Sequence, residues 1–125
     1  MHKLFLISGS LLGALAVIFG AFGAHALKST LELSNRVATY QTAVSYHFYH
    51  ALGLILLGLI MTQFQSKYLD LSGYAFLLGM LFFSGSLYVL SLSNISLFGA
   101  IAPIGGTLLV AGWVLMFLGI LKSIA

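Results

Sequence analysis

The 25 residues from Leu97 to Leu121, LFGAIAPIGGTLLVAGWVLMFLGIL, contain no charged side chain. A helix crosses the hydrocarbon core of a bilayer in about 20 residues, so this stretch is long enough to span a membrane once. Pro103 lies about two turns inside it and is followed by Gly105 and Gly106. Proline removes a backbone donor and clashes with the preceding turn. The stretch therefore predicts a transmembrane helix with a kink or an opened turn at Pro103.

Three further apolar stretches of similar length precede this one. The four stretches cover about residues 4–26, 43–63, 71–92 and 97–121. Only five Lys or Arg and two Asp or Glu residues occur among 125, which is far too little charge for the surface of a soluble domain. Short connections make consecutive helices antiparallel neighbours. We expect an all-α integral membrane protein, a four-helix transmembrane bundle with up-down-up-down topology, formed by residues 1–125 as a single transmembrane domain in the lipid bilayer.

The charged residues are few and scattered, which excludes some functions. The net charge of +3 comes from isolated basic residues that form no patch, so we expect no nucleic-acid partner. Cysteine is absent, which excludes disulfides, iron–sulfur clusters and thiol catalysis. Lys3, Lys67 and Lys122 fall on one side of the predicted bundle, and Lys28 and Arg36 fall on the other. Because cytoplasmic loops carry the excess of Lys and Arg, this bias predicts that both termini are cytoplasmic.

Small residues recur along the first stretch at near-helical spacing. They are Gly9, Gly13, Ala16, Gly20, Gly23 and Ala24. Such a stripe lets a second helix approach closely, either within the chain or in a homo-oligomer or a larger membrane complex. The connection after this stretch alternates apolar and charged residues, which predicts a short amphipathic segment on the membrane surface. Ser29 and Glu32 have the spacing of a capping box at its start.

The segment from Tyr40 to His50 is rich in hydrogen-bonding side chains, and lipid cannot satisfy them. His47 and His50 are three residues apart, which places them on one helical face. We expect both in the outer half of the membrane, on the same side as His25 and the Pro103 segment. The candidate ligand-binding residues are His25, Tyr46, His47, Tyr49, His50, Ser84, Ser86, Tyr88, Pro103, Gly105 and Gly106.

Three interpretations of this outer cluster remain open. The histidines can act as packing residues that bond Tyr, Ser or backbone groups, and this is the interpretation we favour. Alternatively, His25, His47 and His50 form a metal or haem site, or the cluster lines a small-molecule pocket. Under the first interpretation no metal or other cofactor is bound, and His25 and His50 are the pair expected to lie nearest each other.

The spans contain few of the side chains that catalysis needs. Glu32 lies in a connection and Asp70 at a helix end, so no carboxylate is available inside the membrane for a proton relay. Ser84 and Ser86 have no acid that could orient a histidine base. They are expected to pack closely and to bond back to their own helix. We therefore expect that the protein is not an enzyme.

Several short motifs occur in an order that resembles a known membrane protein family. They are GAFGAHAL at 20–27, YQTAV at 40–44, YHAL at 49–52, FSGSLY at 83–88, PIGG at 103–106 and AGW at 111–113. In this order and spacing they resemble the family catalogued as domain of unknown function 423, over nearly the whole chain. The resemblance implies a four-helix protein of the bacterial inner membrane, with His25, His50 and the Pro-Gly-Gly segment among its signature residues. It implies no particular activity.

The sequence thus predicts a small membrane protein that acts as a non-enzymatic packing or interaction module. The alternative is a protein that binds or transports a small ligand, an ion, a metal or haem. Its pocket in the outer leaflet would be lined by His25, Tyr46, His47, His50 and the segment 103–106.

Overall fold

The computed structural model describes all 125 residues, and helices account for nearly all of them. The helices are α1 (His2–Ala24), α2 (Lys28–Leu33), α3 (Val37–Ile60), α4 (Lys67–Ser93) and α5 (Leu97–Ile124). Every helix except the six-residue α2 is long and apolar enough to cross a bilayer. The predicted all-α transmembrane fold is therefore confirmed. Helix α3 begins six residues before the predicted span, because Val37–Thr42 continues the same helix.

The four long helices form a bundle in which α3 and α4 are the central pair. Helix α1 packs against α3, α3 against α4, and α4 against α5, so each spanning helix is antiparallel to the next along the chain. This confirms the up-down-up-down topology. The two outer helices, α1 and α5, are less buried than the central pair. In the most apolar 18-residue stretch of each helix, the buried share is 17% for α1 and 28% for α5, against 44% for both α3 and α4.

Glycines at seven-residue spacing hold α5 against α4. Gly105, Gly112 and Gly119 are buried on one side of α5. Each faces a bulky part of α4: the backbone of Phe83, the ring of Phe76 and the side chain of Leu69, respectively. Van der Waals packing drives helix association in lipid, and glycine lets the two backbones approach closely.

The small-residue stripe of α1 packs inside the chain, against α3. A Cβ atom on Gly9 would lie 2.9 Å from the backbone oxygen of Ala51, and one on Gly20 would lie 3.3 Å from Val44 Cγ1. Ala16 is buried on the same side. Gly23 accommodates the ring of Tyr40, whose hydroxyl donates a hydrogen bond of 2.5 Å to the Phe19 carbonyl. The stripe is therefore used in folding.

Two local details differ from the sequence expectations. The connection contains the expected short helix, but α2 begins after Leu27, and Ser29 lies inside it without capping it. The capping box is therefore wrong. Helix α5 runs unbroken through Pro103, so the opened turn expected there is also wrong. Pro103 is the seventh residue of α5, so its missing N–H costs one backbone hydrogen bond, but the helix continues on both sides of it.

Large apolar side chains fill the space between the helices. The core consists of Phe5, Leu54, Leu57, Leu69, Phe76, Met80, Leu109 and Met116. Phe5 of α1 extends across the bundle and packs over Gly73 of α4. The outer face carries exposed large apolar residues on all four long helices, such as Ile7 on α1 and Phe117 on α5. An apolar exterior of this extent suits lipid as the surrounding solvent.

Candidate functional site

His47 and His50 lie near the middle of α3. The helix runs from Val37 to Ile60, so its midpoint falls between Phe48 and Tyr49. Both histidines are buried inside the bundle, where unmatched polar groups are costly.

His50 has a hydrogen-bond partner at each ring nitrogen. Its Nε2 atom accepts a bond of 2.9 Å from the indole Nε1–H of Trp113 on α5. An indole nitrogen can only donate, so Nε2 carries no proton. The proton is therefore on Nδ1, which lies 2.7 Å from the Tyr46 carbonyl oxygen and donates to it. These two bonds fix the tautomer and tie α5 to α3.

His47 is buried, and only one of its two ring nitrogens has a well-formed hydrogen bond. Its Nδ1 atom lies 2.8 Å from the hydroxyl of Tyr88 on α4. Its Nε2 atom has no hydrogen-bond partner, although the residue is 5% exposed. The backbone of Leu12 on α1 is close enough to the ring to act as a weak partner, outside ordinary hydrogen-bond geometry. His47 thus differs from His50 in having one ring nitrogen without a well-formed hydrogen bond.

The structure does not bring the three outer histidines together. His25 follows the last residue of α1 and is exposed. Gly13 of α1 lies opposite Ala51 of α3, so His50, the neighbour of Ala51, has a similar position along the bundle axis. His25 lies about eleven residues further along α1, which is about 16 Å away along that axis. His25 and His50 are therefore not neighbours, and no group of three His, Cys, Asp or Glu side chains is placed to hold a metal ion.

Ser84 joins two helices and does not bond to its own. Its hydroxyl donates a bond of 2.8 Å to the Ala43 carbonyl of α3, which corrects the expected back-bonding. Ser72 makes a similar bond of 2.7 Å from α4 to the Gly112 carbonyl of α5. Both hydroxyls are buried. Ser86 is also buried but makes no comparable bond across helices. Polar side chains thus connect α4 to both of its neighbours.

The remaining candidates are divided between two separate grooves. One groove, between α3 and α5, has a volume of about 410 Å³ and is lined by Tyr46, Tyr49, His50, Phe83, Gly106, Leu109, Val110 and Trp113. The other, between α1 and α4, has a volume of about 370 Å³ and includes His47, Ser84 and Tyr88. Pro103 is exposed, and Gly105 is buried against α4. The single pocket expected from the sequence is therefore two grooves on different sides of the bundle.

Comparison with protein-family models places the chain in a family. The model described as "Protein of unknown function (DUF423)" matches residues 19–106, which is most of the chain. The chain belongs to the DUF423 family. All the candidate site residues fall within the matched segment, whereas Trp113 lies beyond it.

Similar DUF423 relatives cover almost the full length of the chain. A UPF0382 membrane protein of Staphylococcus haemolyticus is 43% identical over 122 residues, or 98% of each chain. The UPF0382 membrane protein YwdK of Bacillus subtilis is 36% identical, covering 96% of this chain and 98% of YwdK. The UPF0382 inner membrane protein YgdD of Escherichia coli K12 is 35% identical, covering 96% and 91%. No solved structure matches the chain.

Trp113, which completes the hydrogen bonding of His50 on the α3–α5 side, was not among the candidate site residues. In the sequence it stood out only as part of the AGW motif at 111–113. The signal that could have found its role is general: a buried indole N–H needs an acceptor, and His50 is one of the few acceptors in the spans. Phe19 was also missed. Its ring lies 5.3 Å from that of Tyr88 and 6.0 Å from that of His47.

Proposed function

We propose that this DUF423 protein is a non-enzymatic packing and interaction module of the bacterial inner membrane. It acts through contacts with further copies of itself or with a larger membrane complex. One observation carries the proposal: three of the side chains in the spans that could perform chemistry are engaged in bonds between helices. His50 bonds Trp113, His47 bonds Tyr88, and Ser84 bonds the Ala43 carbonyl. Such bonds stabilise helix association in lipid.

The exterior of α1 is the surface most available for such contacts. Its small-residue side is occupied by α3, whereas Ile7, Leu11 and Val17 are 61–70% exposed. Helix α1 also has the smallest buried share of the four spans. A partner helix that covers this side would bury α1 to an extent closer to that of α3 and α4 inside the bundle.

The absence of cysteine allows a direct test of this proposal in membranes. Single cysteines at Leu11, Val17 and, on α5, Val110 would be oxidised or treated with a bifunctional reagent in native membranes. We expect crosslinks to a second copy or to one defined protein from α1, with Ala16→Cys, which is buried against α3, as the uncrosslinked control. Failure of every outward position to crosslink, together with a strict monomer in several mild detergents, would contradict the proposal.

We also propose that residues 1–125 form a single transmembrane domain with both termini in the cytoplasm. Lys122 lies over the ring of Tyr68 at 5.3 Å, so the end of α5 is beside the start of α4. That end of the bundle also has Lys3 and Lys67, against Lys28 and Arg36 at the other. The larger number of basic residues favours the cytoplasmic side.

Reporter fusions at the C-terminus would test this orientation. A fluorescent protein that folds only in the cytoplasm should be active there, and alkaline phosphatase should be inactive. The reciprocal fusions after Lys28, at the start of α2, should give the opposite result. Strong phosphatase activity at the C-terminus would reverse the proposed orientation.

The alternative of a ligand, ion, metal or haem pocket lined by all the candidate residues has less support. His25 is distant from the other two histidines, and His47 and His50 serve different grooves. Both nitrogens of His50 are already bonded, so neither is free to ligate a metal or haem iron.

A further inference from the structure

One line of side chains on α3 is left uncovered by the other helices. It consists of Ser45, Tyr49, Leu52, Leu56 and Leu59, which we call the α3 seam. The last four are each 48–56% exposed. Tyr49 borders a groove toward α1 on one side and the α3–α5 groove on the other. The seam residues are alternately four and three positions apart, which is the spacing of the contact positions in a left-handed pair of helices.

Ser45 is the polar end of this seam, and its hydroxyl makes no hydrogen bond within the chain. The side-chain hydrogen bonds of α3 belong to other residues, namely Tyr40, Thr42, His47 and His50. Exposed hydroxyls elsewhere on the spans bond to the carbonyl four residues earlier in their own helix, as do those of Ser10, Ser93 and Thr107. Lipid offers no such partner. The Ser45 hydroxyl is therefore free to bond a group outside the chain.

A second copy of the chain supplies a matching group. All copies of a membrane protein insert with the same orientation, so two α3 helices in contact across a two-fold axis are parallel. In a parallel pair, each contact residue meets its own counterpart. A hydroxyl both donates and accepts, so Ser45 of one copy can bond the partner's Ser45. Leu52 and Leu59 then meet their counterparts at the positions where leucine favours a two-stranded pair.

The groove between α1 and α3 gives room for the largest side chain of the seam. Its volume is about 280 Å³, and the small residues Ala16, Gly20 and Ser45 form part of its lining. Side chains on a helix lean toward its N-terminus. The ring of the partner's Tyr49 therefore lies about one turn before its own Cα atom, at the level of Ser45 and beside this groove.

We propose that the α3 seam is a homodimer interface, in which a second copy packs its own seam in parallel against it. The inference rests on the proposed function, and it names both the partner and the surface. Ser45 bonds the partner's Ser45, and Tyr49 of each copy fills the α1–α3 groove of the other. Leu52, Leu56 and Leu59 form the apolar remainder of the contact.

Single cysteines test this interface without background, because the chain has no cysteine of its own. Leu52→Cys and Leu59→Cys would be oxidised in native membranes, where a disulfide requires Cα atoms within about 7 Å of each other. We expect both to give a disulfide-linked dimer with the mass of two chains. Leu78→Cys is the matched control, because Leu78 is 48% exposed but lies on α4. It should remain monomeric.

Side-chain variants test the two specific contacts. Association would be measured by energy transfer between labelled copies diluted into lipid vesicles. Ser45→Ala should weaken association about threefold, the effect of an average hydrogen bond between membrane helices. Tyr49→Ala should weaken it about tenfold, because it leaves the groove empty. Tyr49→Phe keeps the ring and should leave association unchanged.

Three results would overturn the assignment. Equal crosslinking of Leu78→Cys would indicate random collision, and linkage of Leu52→Cys to a different protein would identify another partner. Failure of both Leu52→Cys and Leu59→Cys to crosslink would show that lipid covers the seam. In that last case, crosslinks from Leu11→Cys or Val110→Cys would still support the proposed function, whereas their absence would count against it as well.

Discussion

Trp113 of α5 donates a hydrogen bond of 2.9 Å to His50 of α3 across the middle of the bundle. The two rings are 5.9 Å apart and nearly edge to face, and Phe76 of α4 lies against both. Helices α3 and α5 otherwise touch little, because α3 packs mainly against α1 and α5 packs against α4. This bond therefore fixes how α5 is oriented toward α3 and satisfies two polar groups that lipid cannot.

Removal of the indole donor should destabilise the bundle. Trp113→Phe keeps an aromatic ring but leaves His50 Nε2 without a partner. We expect a loss of about 0.6–1.7 kcal/mol in the free energy of unfolding, from the average to the maximum for hydrogen bonds between membrane helices. Unfolding in mixed micelles with increasing SDS would measure it. Tyr49→Phe is the control, because Tyr49 is 56% exposed and its hydroxyl should contribute nothing measurable. Equal stability of Trp113→Phe and the wild type would show that the bond is unimportant.

Two neighbouring glycines of α5 should respond very differently to the same substitution. A Cβ atom on Gly105 would collide with the Phe83 backbone of α4, which cannot move without separating the helices. A Cβ atom on Gly106 would meet the Phe83 ring at 3.4 Å, an ordinary contact. Gly105→Ala should therefore cost about 1–3 kcal/mol through overpacking. Gly106→Ala should be neutral or slightly stabilising, because alanine favours the helix.

The same SDS unfolding experiment compares the two alanine variants. The packing of α5 against α4 described above would be contradicted if Gly106→Ala were the more damaging of the pair.

The two serines of the Ser84-Gly85-Ser86 motif should also differ. Ser84→Ala removes the bond from α4 to the Ala43 carbonyl. It should lower the free energy of unfolding by about 0.6 kcal/mol, the average for such bonds in membranes. Ser86→Ala removes no bond between helices and should change stability less. Denaturation of both variants beside the wild type would measure the difference, and the reverse order would argue that Ser84 is not a link between α3 and α4.

The sequence was sufficient to predict the spans and their order, because long apolar stretches and short connections determine both. It did not predict the partners of the polar residues near the start of α3. Tyr40 packs over Gly23 and bonds to the Phe19 carbonyl, whereas the sequence shows only that lipid cannot satisfy its hydroxyl.

Lateral relationships between helices could not be predicted from the sequence. Whether His50 faces His25 or Trp113 depends on how each helix is rotated, and apolar residues surround every span, so periodicity gives little guidance. The seven-residue spacing of Gly105, Gly112 and Gly119 was visible in the sequence. It does not identify which helix packs there.

The central claim is that the histidines inside the membrane connect helices and do not hold a metal or haem. Elemental analysis and a visible absorption spectrum of protein purified without a histidine tag test this claim most directly. With both nitrogens of His50 bonded to Tyr46 and Trp113, we expect no stoichiometric transition metal and no Soret band. A stoichiometric metal or a Soret band that disappears in His50→Ala would contradict the account.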